Sequence, residues 1–210
     1  MCIRDRNNRK ELGYLYKSTS INLMIPGILI ASVIWLALPL LDVIAVGEDI
    51  FFQWRFVFLL IVSGKLIDMS MSVNSQLVEY SSWYKYNLLF LILLAILNVG
   101  LNFYFIKTYG LIGAAAATAM SYLVFNVVKM LFIQSKMRMS PFGKENLYLL
   151  IILAAIFLVL IFLMPSFDNV WINTIVQLSF FIISYSLAVW VFGLSAELKD
   201  LILNVKSKVL

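Results

Sequence analysis

The stretch Leu147–Met164, LYLLIILAAIFLVLIFLM, decides the fold. It holds no charged residue, and as an α-helix it would reach about 27 Å at about 1.5 Å per residue, close to the ~30 Å of hydrocarbon in a bilayer. Its apolarity is continuous, whereas a barrel strand alternates with period two. An open sheet is excluded as well, because its edges would leave backbone N–H and C=O groups unpaired in lipid. The segment reads as a transmembrane helix.

Five stretches of the same kind accompany it. In chain order the six are A, Ile21–Leu41; B, Phe51–Ser72; C, Asn87–Ile106; D, Gly113–Ile133; E, Leu147–Met164; and F, Trp171–Phe192. Across all 210 residues, 63% are hydrophobic and 13% charged, against about 45–50% and about 25% in soluble domains. So few polar groups cannot coat that much apolar mass in water. A soluble enzyme, a disordered tail and a coiled coil are excluded. The expected fold is all-α: a polytopic membrane protein, a bundle of six transmembrane helices. Pro26 and Pro39 predict an irregular helix A. Gly110, closing the short Lys107–Gly110 joint, is free to supply a positive φ for a turn between C and D.

The charged residues give the orientation. Sixteen Lys and Arg stand against eleven Asp and Glu, a net charge of +5. Thirteen of the basic residues fall in the N-terminal segment, the B–C joint, the end of D with the D–E joint (Lys129, Lys136, Arg138, Lys144) and the C-terminal tail. Only Arg55 and Lys107 lie towards the other side, and Lys65 sits within B. The A–B and E–F joints carry Asp42, Glu48, Asp49 and Asp168 and no basic residue. Basic residues concentrate in cytoplasmic loops, so both termini are expected in the cytoplasm. That asymmetry accounts for the basic excess, and no nucleic-acid partner is expected. The opening residues, MCIRDR (1–6), resemble a translated sequencing-adapter scar. They are set aside as an artefact, which makes 7–210 the expected C-terminal transmembrane lobe of a longer protein.

Much chemistry is ruled out by composition. With no histidine and a single cysteine, Cys2, imidazole triads, HExxH zinc sites and multi-cysteine metal sites are excluded. No G-x-S-x-G, no Walker-type glycine loop and no magnesium-binding Asp repeat is present, so neither an enzyme nor a cofactor is expected. Segment B is the informative one. At 100° per residue, Lys65, Asp68, Ser72, Ser75, Gln76 and Glu79 share one face. Ionisable groups within a membrane are costly and usually face a bundle interior or a wet cavity. Lys65, Asp68, Ser72 and Gln76 are therefore the candidate substrate-binding residues: Lys65 attracts an anionic head group and Asp68 balances it. The competing reading has Lys65 snorkelling to the interface and pairing locally with Asp68 at i+3. The amides Asn98, Asn102, Asn126, Asn173 and Gln177 read as interhelical packing groups, and Gly113, Ala117 and Ser121 as a small-residue packing face.

The stretch Asn102–Tyr122, NFYFIKTYGLIGAAAATAMSY, resembles the N-x-x-L-I-P-x-Y-G-I-x-G-A-A-x-A-T-x-x-S pattern of polysaccharide and lipid-linked oligosaccharide flippases, members of the multidrug/oligosaccharidyl-lipid/polysaccharide exporter superfamily. The matching positions are Asn102, Tyr109, Gly110, Gly113, Ala114, Ala115, Ala117, Thr118 and Ser121, while Lys107 replaces the usual proline. Gly64–Leu88 is also similar to the corresponding region of lipopolysaccharide-type exporters. The resemblance implies the C-terminal lobe of a transporter of about twelve to fourteen helices, working by alternating access. The cargo would be a polyprenyl-diphosphate-linked oligosaccharide, moved across the bacterial cytoplasmic (inner) membrane for cell-surface polysaccharide synthesis. The partners implied are that lipid, the surrounding membrane lipids and an N-terminal lobe of the same protein. Two alternatives stay open: a cation-coupled multidrug antiporter of the same superfamily, and a membrane-embedded glycan polymerase or acyltransferase.

Overall fold

Long apolar runs with few breakers wind into α-helices, and among the described residues there are seven helices and no strand. The computed structural model describes residues 9–44, 48–165 and 167–194; residues 1–6 and the basic C-terminal tail lie outside them. The helices are α1 (Arg9–Ala37), α2 (Pro39–Ile44), α3 (Glu48–Ser70), α4 (Val73–Glu79), α5 (Lys85–Met137), α6 (Lys144–Phe162) and α7 (Val170–Val191). Among the described residues, four stretches are long and apolar enough to cross a membrane: Glu11–Leu41, Lys85–Met137, Lys144–Phe162 and Val170–Val191. Trp54–Ser70 with Val73–Glu79 makes a fifth if the pair, bent by 42°, is one span.

Segment A begins earlier than expected, because the polar residues from Arg9 onward continue the helix. Pro26 is accommodated within α1, and the break falls at Leu38 instead, where Pro39 opens α2 at a position that needs no N–H donor. Segment B is not one helix to Ser72. It stops at Ser70 and resumes as α4. The Ser70 carbonyl at the break accepts from Ser20 Oγ at 2.7 Å, which supplies a partner where the helical ladder is interrupted. Just beyond it, the Tyr16 hydroxyl donates to Asn74 Oδ1. Both bonds tie α1 to the bend.

Segments C and D meet within α5. Helical backbone runs up to Gly110, which alone is non-helical at φ 58, ψ −130, a combination that glycine adopts and a residue with a Cβ avoids. The chain reverses there. Lys129 Nζ reaches Asn87 Oδ1 at 3.2 Å and the Phe90 and Phe132 rings lie 5.3 Å apart, contacts that a straight helix of this length forbids. The two halves of α5 form an antiparallel hairpin. Segments E and F appear as α6 and α7, shifted by a few residues. Asn146 Oδ1 accepts from Gly143 N–H at the start of α6, and Asn169 Oδ1 accepts from Trp171 and Ile172 N–H at the start of α7.

Two units make up the chain: Met1–Gly27 with Gly47–Pro141, and Ile28–Val46 with Phe142–Leu210. The first packs Tyr16, Leu77, Val78, Phe90, Phe125 and Ile133 into one apolar cluster. Phe157, Phe181 and Tyr185 belong to the second, with Phe181 stacked on Tyr185 at 5.5 Å. Large apolar side chains remain exposed in both: Val99 is 72% exposed, Phe103 80% and Phe162 76%. A water-soluble protein rarely leaves so much apolar surface uncovered, whereas a lipid-facing helix does so by design.

Candidate functional site

The polar residues of the first unit line up between two helical faces. On the second half of α5, Tyr122, Asn126 and Lys129 recur at i, i+4 and i+7, one face of a helix. Lys65, Asp68 and Ser75, on α3 and α4, meet them. Lys65 Nζ donates to Tyr122 Oη at 2.9 Å, Asn126 Nδ2 donates to Asp68 Oδ1 at 3.1 Å, and Lys129 Nζ donates to Ser75 Oγ at 2.8 Å. The partners rise together in number, so α3–α4 and this half of α5 run parallel. Three rungs form a ladder.

Small residues permit it. A Cβ on Gly64 would stand 2.9 Å from the Ala119 Cα, so α3 approaches the α5 backbone more closely than any larger residue allows. Gly113, Ala117 and Ser121, the expected packing face, are all buried.

The rungs differ in burial. Lys65 is exposed and its ammonium lies 4.4 Å from the Tyr122 ring centroid. Asp68 is half-buried, and Asn126 is 2% exposed. Lys129 is fully buried at 0% exposure, with its Nζ 4.5 Å from the Phe125 ring centroid and 5.6 Å from that of Phe90. Asp68 lies within electrostatic reach of both lysines, and Glu79, exposed at the end of α4, within reach of Lys129. An open apolar groove of about 320 Å³, lined by Leu91, Leu94, Ala95, Asn98, Val99 and Tyr122, borders the Lys65 rung.

Of the four expected site residues, Lys65 and Asp68 join the ladder. Ser72 and Gln76 stay exposed and form no rung. The 42° bend between α3 and α4 breaks the single helical face that a straight segment B would give all four, and it carries Ser75 towards Lys129. Lys65 donates to Tyr122 rather than pairing with Asp68 one turn on. Asn102 donates to the Asn98 carbonyl and side chain at 2.8 and 2.9 Å, so this pair acts within its own helix instead of bridging two. The topology argument places Lys129 among the cytoplasmic basic residues and gives it no part in the site. The signal that marks it is the 122/126/129 spacing, which sets a polar face on segment D as 65/68/75 does on segment B.

No family model, curated protein or solved structure matches the chain.

Proposed function

We propose that the chain is a lobe of a membrane exporter that moves a polyprenyl-diphosphate-linked oligosaccharide across the bacterial cytoplasmic membrane by alternating access. The lobe crosses the membrane six times, with segments C and D as separate crossings joined at Gly110 and both ends cytoplasmic. Its activity is transport and not catalysis, and it works against a second helical lobe that covers the Lys65 face. The observation that carries this reading is an excess of positive charge within an apolar bundle. Lys65 and Lys129 stand on one ladder whose rungs hold a single carboxylate, Asp68, while Glu79, the other acidic group near Lys129, is exposed at the end of α4. An unbalanced cation among lipid-facing helices is costly, and an anionic ligand removes that cost. A diphosphate offers strong acceptors for an exposed ammonium. The resemblance of Asn102–Tyr122 to oligosaccharide flippases points to the same cargo, and Tyr122, the last residue of that stretch, is the partner of Lys65.

The cation-coupled antiporter would use the same bundle, but a ladder with two lysines favours an anion over a cation as its guest. The test is export of surface polysaccharide by cells carrying the complete reading frame. Lys65→Gln is expected to abolish export at normal membrane levels, and Lys65→Arg to retain part of it. Normal export by Lys65→Gln would refute the anion site.

A further inference from the structure

We infer that the counter-charge of Asp68 is Lys129 and not its near neighbour Lys65, so that Asp68, held by Asn126, and Lys129, one turn further along the same face, form a balanced pair while Lys65 is left unneutralised. The local rule for helices pairs Lys65 with Asp68 at i+3. The geometry does otherwise. Lys65 has turned to the Tyr122 hydroxyl at 2.9 Å, whereas the Asp68 carboxylate accepts from Asn126, which lies on the same helical face as Lys129 and one turn before it.

Burial decides which lysine needs the charge more. An exposed ammonium keeps much of its hydration, and a neighbouring carboxylate adds little to it. A fully buried one has lost its hydration, and the attraction of a carboxylate grows as the surroundings become less polar. Lys129 is the fully buried one, held by Ser75 Oγ, Asn87 Oδ1 and two aromatic rings, none of which carries a formal charge. Glu79, the other acidic group near it, is exposed at the end of α4, where solvent screens its charge. Asp68 bound to Asn126, and Lys129 bound to Ser75 and Asn87, thus place two opposite charges on neighbouring rungs that together join α3, α4 and both halves of α5. That Lys65 is then free for an anionic head group rests on the function proposed above; the pairing does not.

Charge-removal pairs test this in the complete protein, read as its level in the membrane and its resistance to heat in detergent. Lys129→Met leaves Asp68 without a counter-charge and is expected to lower the level by about fivefold or more; Lys129→Gln, which retains hydrogen-bonding atoms, lowers it less. Adding Asp68→Asn to either is expected to restore the level to within about twofold of the parent, the signature of a coupled pair in a double-mutant cycle. Lys65→Gln is expected to leave the level unchanged and to gain nothing from Asp68→Asn. Additive losses in Asp68→Asn/Lys129→Met and Asp68→Asn/Lys129→Gln, no loss in the Lys129 single variants, or rescue confined to the Lys65 pair would each overturn the assignment. Selective rescue with normal export by Lys65→Gln would overturn only the anion reading. Lost export in Lys65→Gln without selective rescue would overturn only this assignment.

Discussion

A tyrosine hydroxyl is a modest acceptor, and Tyr122 holds the Lys65 ammonium without neutralising it. The bond fixes where the charge stands while leaving its remaining donors for the head group proposed above. Tyr122→Phe removes the acceptor and keeps the ring. The expected outcome is export reduced several-fold, with membrane level and heat resistance unchanged. A parallel loss of level would make Tyr122 a folding residue instead. Lys65 and Asp68, as residues of the ladder, are legible in the sequence because a charge in the middle of an apolar run is costly and stands out against its neighbours. Lys129 is not. It stands within two turns of a helix end that also carries Lys136 and Arg138, where a topology count absorbs it. Only the matching polar faces of segments B and D distinguish it from its basic neighbours, and nothing in a single helix says which other helix that face will meet.

At the scale of elements, Gly110 has the most to do. Its φ of 58 and ψ of −130 reverse the chain, and this brings Asn87 to Lys129 and Phe90 to Phe132. Forcing a Cβ into that backbone region costs on the order of 1–3 kcal/mol. Gly110→Ala is therefore expected to lower the apparent melting temperature in detergent, measured by the loss of helical signal on heating. Gly100→Ala, within the first half of α5 and with open space around its Cα, serves as the control and should leave that temperature unchanged or raise it. Equal behaviour of the two variants would remove Gly110 as the hinge of the hairpin. Segments E and F are legible almost to their ends, since their apolar runs are bounded by Gly143, Pro165 and Asn169. Segment B is not, because the break after Ser70 has no proline or glycine to announce it. It is held by Ser20 and Tyr16 from α1, about fifty residues away in sequence.

Over the whole molecule, the parallel run of α3–α4 with the second half of α5 is what the second and fourth of successive crossings would show, whichever side of the membrane the chain starts on. Even the apolar surface left uncovered fits a bundle solvated by lipid. Composition points to lipid as the solvent and leaves the ligand open, because a lysine in a membrane is equally compatible with packing, snorkelling and binding. The function proposed above puts an anion at Lys65. The most direct measurement is equilibrium binding to the purified complete protein in detergent, comparing a polyprenyl diphosphate with the corresponding polyprenyl alcohol. The diphosphate is expected to bind at least about tenfold more tightly, roughly 1.4 kcal/mol, and Lys65→Gln to abolish that difference while leaving the alcohol's affinity unchanged. Equal preference for the diphosphate in the parent and in Lys65→Gln would contradict the assignment of Lys65 as the head-group site.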